Sequence, residues 1–307
     1  MEIIANTTDF YLDRETAVAI GKFDGIHIGH RRLLEEIREK RKEGLCACVF
    51  TFDPAPAVLF GLSDGKELTV KEEKHALFER AGVDILIEFP MNPGTAATPP
   101  EVFATEILAG RMQTRFLAAG SDLSFGAGGA GNTEFLRKLG PELGFRVETI
   151  AKVCLEDREV SSTYVRSCVE KGEMELTERL LGMPYPVFGT VVKGNQLGRN
   201  LGFPTVNLLP DESKLLPPNG VYFSQVRYRN KRYRAISNVG YKPTVTADRV
   251  MGVESYLYDF SGDIYGEPVE VYLMKFSRPE QRFESVEALR RQLERDIEAG
   301  FLYHKNK

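Results

Sequence analysis

The apolar pattern of this chain changes period once, near Met183-Pro184-Tyr185-Pro186. That break constrains the fold more than any single motif. Before it, short apolar runs alternate with amphipathic stretches. Thr16–Gly21, Leu45–Phe52, Val83–Phe89, Arg115–Ala119 and Phe145–Ile150 read as strands. Residues 28–42, 71–81, 101–109, 162–171 and 175–181 read as helices from their apolar spacing. Gly44 and Gly82 stand where glycines end helices. Thr98 is placed to cap the helix that begins with Pro99 and Pro100. Strand–helix alternation implies a parallel sheet covered on both faces.

After the break the spacing is that of a small antiparallel barrel or sandwich. The strands expected there are Val187–Val192, Val221–Arg229, Arg232–Ser237, Val253–Tyr258 and Val269–Phe276, with turn residues between them. A last helix over Ser285–Ala299 carries Val286, Leu289, Leu293 and Ile297 at helical spacing, which suits packing on the barrel. The expectation is an α/β chain of two domains, residues 1–183 and 184–307. Its 307 residues suffice for two such cores.

Two segments carry candidate chemistry. Gly21-Lys22-Phe23-Asp24-Gly25-Ile26-His27-Ile28-Gly29-His30 follows the first strand and opens the first helix. Its glycines let backbone approach a ligand closely. Its two histidines stand at a helix N-terminus, where free N–H groups and the dipole favour anions. The pattern fits phosphate binding and stabilisation of a leaving pyrophosphate; a glycine-rich turn with two part-exposed histidines is the plainer alternative. The second segment runs from Gly194 through Gly198, Arg199 and Gly202 into Thr205-Val206-Asn207. On a strand, Thr205 and Asn207 share one face. A hydroxyl and an amide oxygen side by side can hold Mg²⁺ with phosphate oxygens; a polar barrel edge is the plainer reading.

Gly21–His30 resembles the H-x-G-H signature of nucleotidyltransferases, in the form found in bacterial FAD synthetases. Three further segments agree in order: Thr51-Phe52-Asp53-Pro54-Ala55-Pro56, Gly120-Ser121-Asp122-Leu123-Ser124-Phe125-Gly126, and Val160-Ser161-Ser162-Thr163-Tyr164-Val165-Arg166. In the last, hydroxyls precede a helix whose first turn carries Arg166, a grouping suited to a triphosphate. The chain departs from the family at Ala55, where the family has histidine, and at Leu123-Ser124, where it has Phe-Arg.

Gly198-Arg199-Asn200-Leu201-Gly202-Phe203-Pro204-Thr205-Val206-Asn207 resembles the riboflavin kinase signature, with valine for the usual alanine. Segments 218–222, 238–244, 253–257, 263–266 and 278–283 follow in family order. The chain is thus similar throughout to bifunctional riboflavin kinase/FMN adenylyltransferases.

That resemblance implies a Rossmann-like nucleotidyltransferase domain followed by a kinase barrel with a terminal helix. It implies riboflavin, FMN and ATP as substrates, Mg²⁺ as cofactor, and flavin as substrate and product rather than resident redox group. Glu254 would be the kinase base; His27 and His30 would serve nucleotidyl transfer. ATP would be held by Gly21, Phe23, Asp24, Gly25 and Gly29, by Ser161, Ser162, Thr163 and Arg166, and at the second site by Gly194, Gly198, Arg199, Gly202, Thr205 and Asn207, the last two with the metal. Asp53, Asp122, Phe125, Arg278 and Phe283 would contact flavin. The departures at Ala55, Leu123 and Ser124 keep open a kinase with an impaired or re-purposed first domain. A flavin-binding regulator without turnover is the rival from another class.

Forty basic residues face forty-four acidic ones, a net of −4, which gives nucleic-acid binding no support. No stretch nears the roughly 18 apolar residues of a membrane helix, and the start Met1-Glu2-Ile3-Ile4 lacks the basic-then-apolar order of a signal peptide. Cys46, Cys48, Cys154 and Cys168 form no C-x-x-C pair, so reduced thiols in a cytoplasmic protein are expected. Oligomeric state stays open, a monomer included.

Overall fold

A computed structural model describes residues 1–61, 64–194, 202–243 and 249–307. Its contacts gather into two compact units, residues 1–66 with 74–161, and residues 67–73 with 162–307.

The first unit is built on a sheet of β1 (Glu2–Ala5), β2 (Thr16–Ile20), β3 (Cys46–Asp53), β4 (Ile85–Pro90), β5 (Thr114–Gly120) and a later strand, with two short ribbons beside it. β6 (Ser124–Phe125) pairs β7 (Gly131–Asn132). β8 (Arg146–Ile150) completes the sheet, and β9 (Cys154–Leu155) pairs β10 (Arg158–Glu159). The main sheet runs β1-β4-β3-β2-β5-β8, all parallel. Its central strands are apolar without alternation because both faces are covered: Ala17–Ile20, Ala47–Phe50 and Ile85–Ile87 are at most 2% exposed. Val18, Ile20, Cys48, Phe50, Ile85 and Ile87 face one core together with Phe103 and Phe125. β1 was not expected from the sequence; it is an edge strand of four residues with an exposed start.

The first helix, Ile28–Glu39, buries Leu33, Leu34 and Ile37, then tightens to a 3₁₀ turn ending at Gly44 with φ +85°. That left-handed conformation is what selects glycine there. The helix expected over 101–109 differs. A short α-turn, Pro100–Val102, is capped by Pro99 rather than Thr98 and opens into a π-helix, Phe103–Arg111. Phe103, Ala104, Ile107 and Leu108 are all buried. The wider π turn brings residues four and five apart onto one face, which sets all four against the sheet.

The second unit carries the helices Ser162–Lys171 and Met174–Leu181, then six antiparallel strands. These are β11 (Tyr185–Val192), β12 (Thr205–Leu209), β13 (Gly220–Tyr228), β14 (Lys231–Pro243), β15 (Arg249–Leu257) and β16 (Pro268–Pro279). They close in the order β11-β12-β15-β14-β13-β16, which leaves no open sheet edge. Inside, the hydroxyls of Ser224, Ser237 and Ser255 form a chain with 2.7 Å steps, all wholly buried. The terminal helix, Val286–Lys305, starts on a Ser285 cap and runs six residues beyond the expected Ala299. Tyr303 stacks on Phe223 at 4.6 Å and His304 Nε2 lies 3.0 Å from the Ala235 carbonyl. These contacts with the barrel hold the last turns, and apolar periodicity does not reveal them.

Candidate active sites

In the first unit, three predicted segments lie at the carboxyl ends of the neighbouring strands β3, β2 and β5. Gly21–His30 follows β2, Asp53 ends β3, and Asp122 and Phe125 follow β5. Parallel α/β sheets bind ligands at that end.

The turn is tightly specified. Gly25 sits at φ +86°, and the non-glycine residues Phe23 and Ile26 take φ +51° and +33°. A β-branched residue there is strained, as at many functional turns. Phe23 is wholly buried between His30 and Phe78, with ring centroids 5.0 and 5.3 Å away.

His27 caps the helix: its Nδ1 accepts the His30 backbone N–H at 3.3 Å. With Nδ1 an acceptor, the neutral ring carries its proton on Nε2. The two imidazoles stack with centroids 3.7 Å apart, and a Cβ on Gly29 would sit 3.2 Å from the His27 ring. Burial pushes His27 down to about 4, against the pull of Asp122. Burial, and then His27 beside it, pushes His30 well below the usual histidine range. Both rings are therefore neutral at pH 7. The Nδ1 of His30 is sealed from solvent without a hydrogen-bond partner.

Asp122 is exposed and lies 3.8 Å from Lys152. Phe125 is 4% exposed, its ring against Phe103 and Phe135. Of the departing residues, Ala55 precedes the short helix Pro56–Leu59, Leu123 packs on the core, and Ser124 Oγ donates to the Gly129 carbonyl at 3.2 Å. Ser162, Thr163 and Arg166 occupy the start of the helix Ser162–Lys171, which groups with the second unit.

In the second unit, Asn207 pairs across strands with Glu254, and Thr205 with Tyr256. Thr205 Oγ1 donates to Glu254 Oε1 at 2.5 Å, the short bond of a hydroxyl to a carboxylate. Its lone pairs stay available to a further partner. A Cβ on Gly194 would sit 2.5 Å from Asn207 Nδ2 and 3.0 Å from Oδ1, so glycine alone lets the backbone lie on that amide. Gly198 and Arg199 fall outside the described residues; Gly202 has φ +91°.

Thr205 and Glu254 border a cavity of about 580 Å³. Val221, Ile236, Tyr256, Leu289, Leu293 and Ile297 line it, with Asn238, Arg278, Glu280, Asp296 and Phe283. The mixture of apolar walls and a few polar groups suits a fused-ring ligand with one polar edge. Sequence reasoning missed Asp296 and Glu280. Asp296 left a signal: it is an acid beside Leu293 and Ile297 on the stripe that packs inward.

Residues 10–164 match a family model for FAD synthetase and residues 181–301 one for riboflavin kinase. A bifunctional riboflavin kinase/FMN adenylyltransferase of Escherichia coli is 37% identical, over 91% of this chain and 90% of its own. The Listeria monocytogenes protein of the same description is 34% identical over 94% and 93%. A crystal structure described as a macrolide-efflux protein of Streptococcus pneumoniae superposes with a TM-score of 0.84 at 32% identity, covering 97% of both chains. That description stands apart from the family models and the curated relatives, which agree with each other. Among the described residues here, no helix is long and apolar enough to cross a membrane.

The two family models and the curated relatives together show a transferase that passes phosphoryl and nucleotidyl groups from ATP to a flavin. The chain belongs to the bifunctional riboflavin kinase/FMN adenylyltransferase family. Riboflavin, FMN and ATP follow as substrates of its two activities.

Proposed function

We propose that riboflavin is phosphorylated on the outer face of the barrel with Glu254 as general base. The observation that carries this is the Thr205–Glu254 hydrogen bond at the rim of the cavity. Glu254 takes the proton of the ribityl 5′-hydroxyl as that oxygen attacks the γ-phosphorus of ATP. Thr205, whose own proton points to Glu254, offers its oxygen toward the phosphates. Asn207, cradled by Gly194, offers its amide oxygen beside it. These are hard neutral donors next to one carboxylate, a set that fits Mg²⁺ carried in by ATP. When bound, the cation offsets the charge of the transferring phosphates.

In the adenylylation, the FMN phosphate attacks the α-phosphorus of ATP and pyrophosphate leaves. The neutral His27 donates from Nε2 to phosphate oxygens, and the helix N-terminus adds backbone N–H groups. Ser161, Ser162, Thr163 and Arg166 hold the triphosphate; Asp53, Asp122 and Phe125 serve the flavin of the adenylylation and Phe283 that of the phosphorylation. Residues 1–183 carry the adenylyltransferase and residues 184–307 the kinase. The protein works in the cytoplasm on small molecules, without nucleic acid or membrane.

A time course with riboflavin, ATP and Mg²⁺, resolved chromatographically, tests this. FMN forms first and FAD after it. Glu254→Gln lowers FMN formation by about 10²–10⁴-fold and leaves FAD formation from added FMN intact. His30→Ala does the reverse. An active Glu254→Gln kinase would remove the base assignment.

A further inference from the structure

We propose that Asp296 is a positioning residue for riboflavin phosphorylation: it clamps Arg278 and so sets the terminal helix at the distance the flavin requires. This rests on the kinase reading of the barrel.

Arg278 lies on β16 and Asp296 on the terminal helix. Arg278 Nε donates to Asp296 Oδ1 at 2.9 Å and Nη2 to Oδ2 at 2.5 Å. Its Nη1 donates to the Pro279 carbonyl at 2.9 Å. Gln292 Nε2 adds a third donor to Asp296, at 2.8 Å from Oδ1. The side chains are 17% and 8% exposed, so the pair is largely desolvated. Each guanidinium nitrogen is thus engaged within the protein, although Arg278 lines the cavity. Its effect on the flavin passes through the helix.

The helix is tied at two places. Near its C-terminal half, Tyr258 OH donates to the Ile297 carbonyl, and a Cβ on Gly300 would meet Ile236 and Tyr258 at 2.6 Å. That close approach fixes the helix without Asp296. The Asp296 fork, at mid-helix and one residue before Ile297, is the tie to β16, and Leu293 and Leu289 face the cavity one and two turns before it. Two parallel N–H···O bonds fix orientation as well as distance. Loosening the fork leaves the helix attached but lets the Leu289–Leu293 wall swing, which changes the slot for the ring system and not the Thr205–Glu254 chemistry.

The test uses the full-length protein, with Asp296→Asn and Arg278→Lys singly and together. Riboflavin and ATP are varied separately in steady-state phosphorylation, and thermal unfolding is recorded beside them. Each single variant raises the riboflavin KM by about tenfold or more, while kcat and the ATP KM stay within about twofold. The double variant is no worse than the worse single one, because both act through one fork. A lower kcat at unchanged riboflavin KM, the mark of a merely structural tie, overturns the proposal. So do additive effects, which would place Arg278 directly on the flavin. If Asp296→Asn does not accumulate, Gln292→Leu removes one donor and keeps the fork; it raises the same KM less, and an unchanged KM overturns the proposal. A wild-type protein that leaves riboflavin unphosphorylated removes the kinase reading itself, an outcome separate from wild-type turnover with an unmoved KM.

Discussion

Lys214 holds its ammonium 2.6 Å from Glu73 Oε2, with both side chains wholly shielded from water. The two residues belong to one compact unit although 141 positions separate them. Lys214 also donates to the Leu68 carbonyl at 2.7 Å and lies 4.3 Å from the centre of the Tyr185 ring. Glu73 accepts the backbone N–H groups of Phe188 and Val70 at 3.0 and 3.2 Å. Burial pushes the Glu73 carboxyl up, and Lys214 opposes this first. Segment 67–73 thus straps the start of β11 to the connection after β12, reinforced by a Glu67 backbone bond to Ser213 at 2.7 Å.

Breaking such a pair strands a buried charge. Lys214→Met is expected to destabilise the barrel unit by about 3–5 kcal/mol. Replacing both partners, as Lys214→Met with Glu73→Leu, costs less than that single change, because no charge is left buried alone. Urea unfolding followed by Tyr fluorescence reads this. A single-variant loss below about 1 kcal/mol, the worth of a surface pair, would show that water reaches the site.

Gly194→Ala tests the cradle around Asn207. The new Cβ lies 2.5 Å from Nδ2, closer than packed atoms stand, and must push the amide aside. The ATP KM of riboflavin phosphorylation is expected to rise by about tenfold with the riboflavin KM unmoved. An unchanged ATP constant would take Asn207 out of the nucleotide site.

Gly131→Ala probes the Phe125 packing. Its Cβ would fall 2.5 Å from the Phe125 ring, itself held by Phe103 and Phe135. Overpacking of this kind costs about 1–3 kcal/mol, read as a lower midpoint for the first unit. If FMN adenylylation falls while the midpoint holds, the ring acts on the ligand rather than on the core.

What the sequence disclosed follows the range of the interaction. Val18 and Phe50 announced buried parallel strands because burial on both faces leaves uninterrupted apolar runs. Gly44 announced its helix end because only one conformation suits it. His27, His30, Thr205, Asn207 and Glu254 were found through motifs; the fold puts the first two at the start of the first helix and the other three on the paired strands β12 and β15. Thr98 failed as a cap because the chain enters one residue later, at Pro99. The π-helix after it has no local spacing that separates it from an α-helix; its register is set by the sheet beneath. Lys214–Glu73 and Arg278–Asp296 join distant segments, and no periodicity encodes such pairs. Phe125 reads in sequence as an aromatic beside a ligand loop, and its near-complete burial is visible only once the ribbon β6–β7 is folded.

The buried histidines give the first unit a pH dependence of definite sign. His27 titrates at about 4 in the folded chain, below its ordinary 6.5, because burial disfavours the charged ring. Between those values the unfolded chain binds a proton that the folded one refuses. Stability is therefore level above pH 7 and falls as pH drops from 6.5 toward 4, by about 3 kcal/mol for His27 alone. His30, pushed down for the same reason, adds a loss of the same sign. His27→Gln keeps an acceptor for the His30 N–H and cannot charge. Its stability should fall less steeply than wild type over that window, in urea unfolding at half-unit steps of pH. Equal slopes would mean that His27 is as free to take a proton folded as unfolded, and that burial does not hold its ring below the ordinary histidine range.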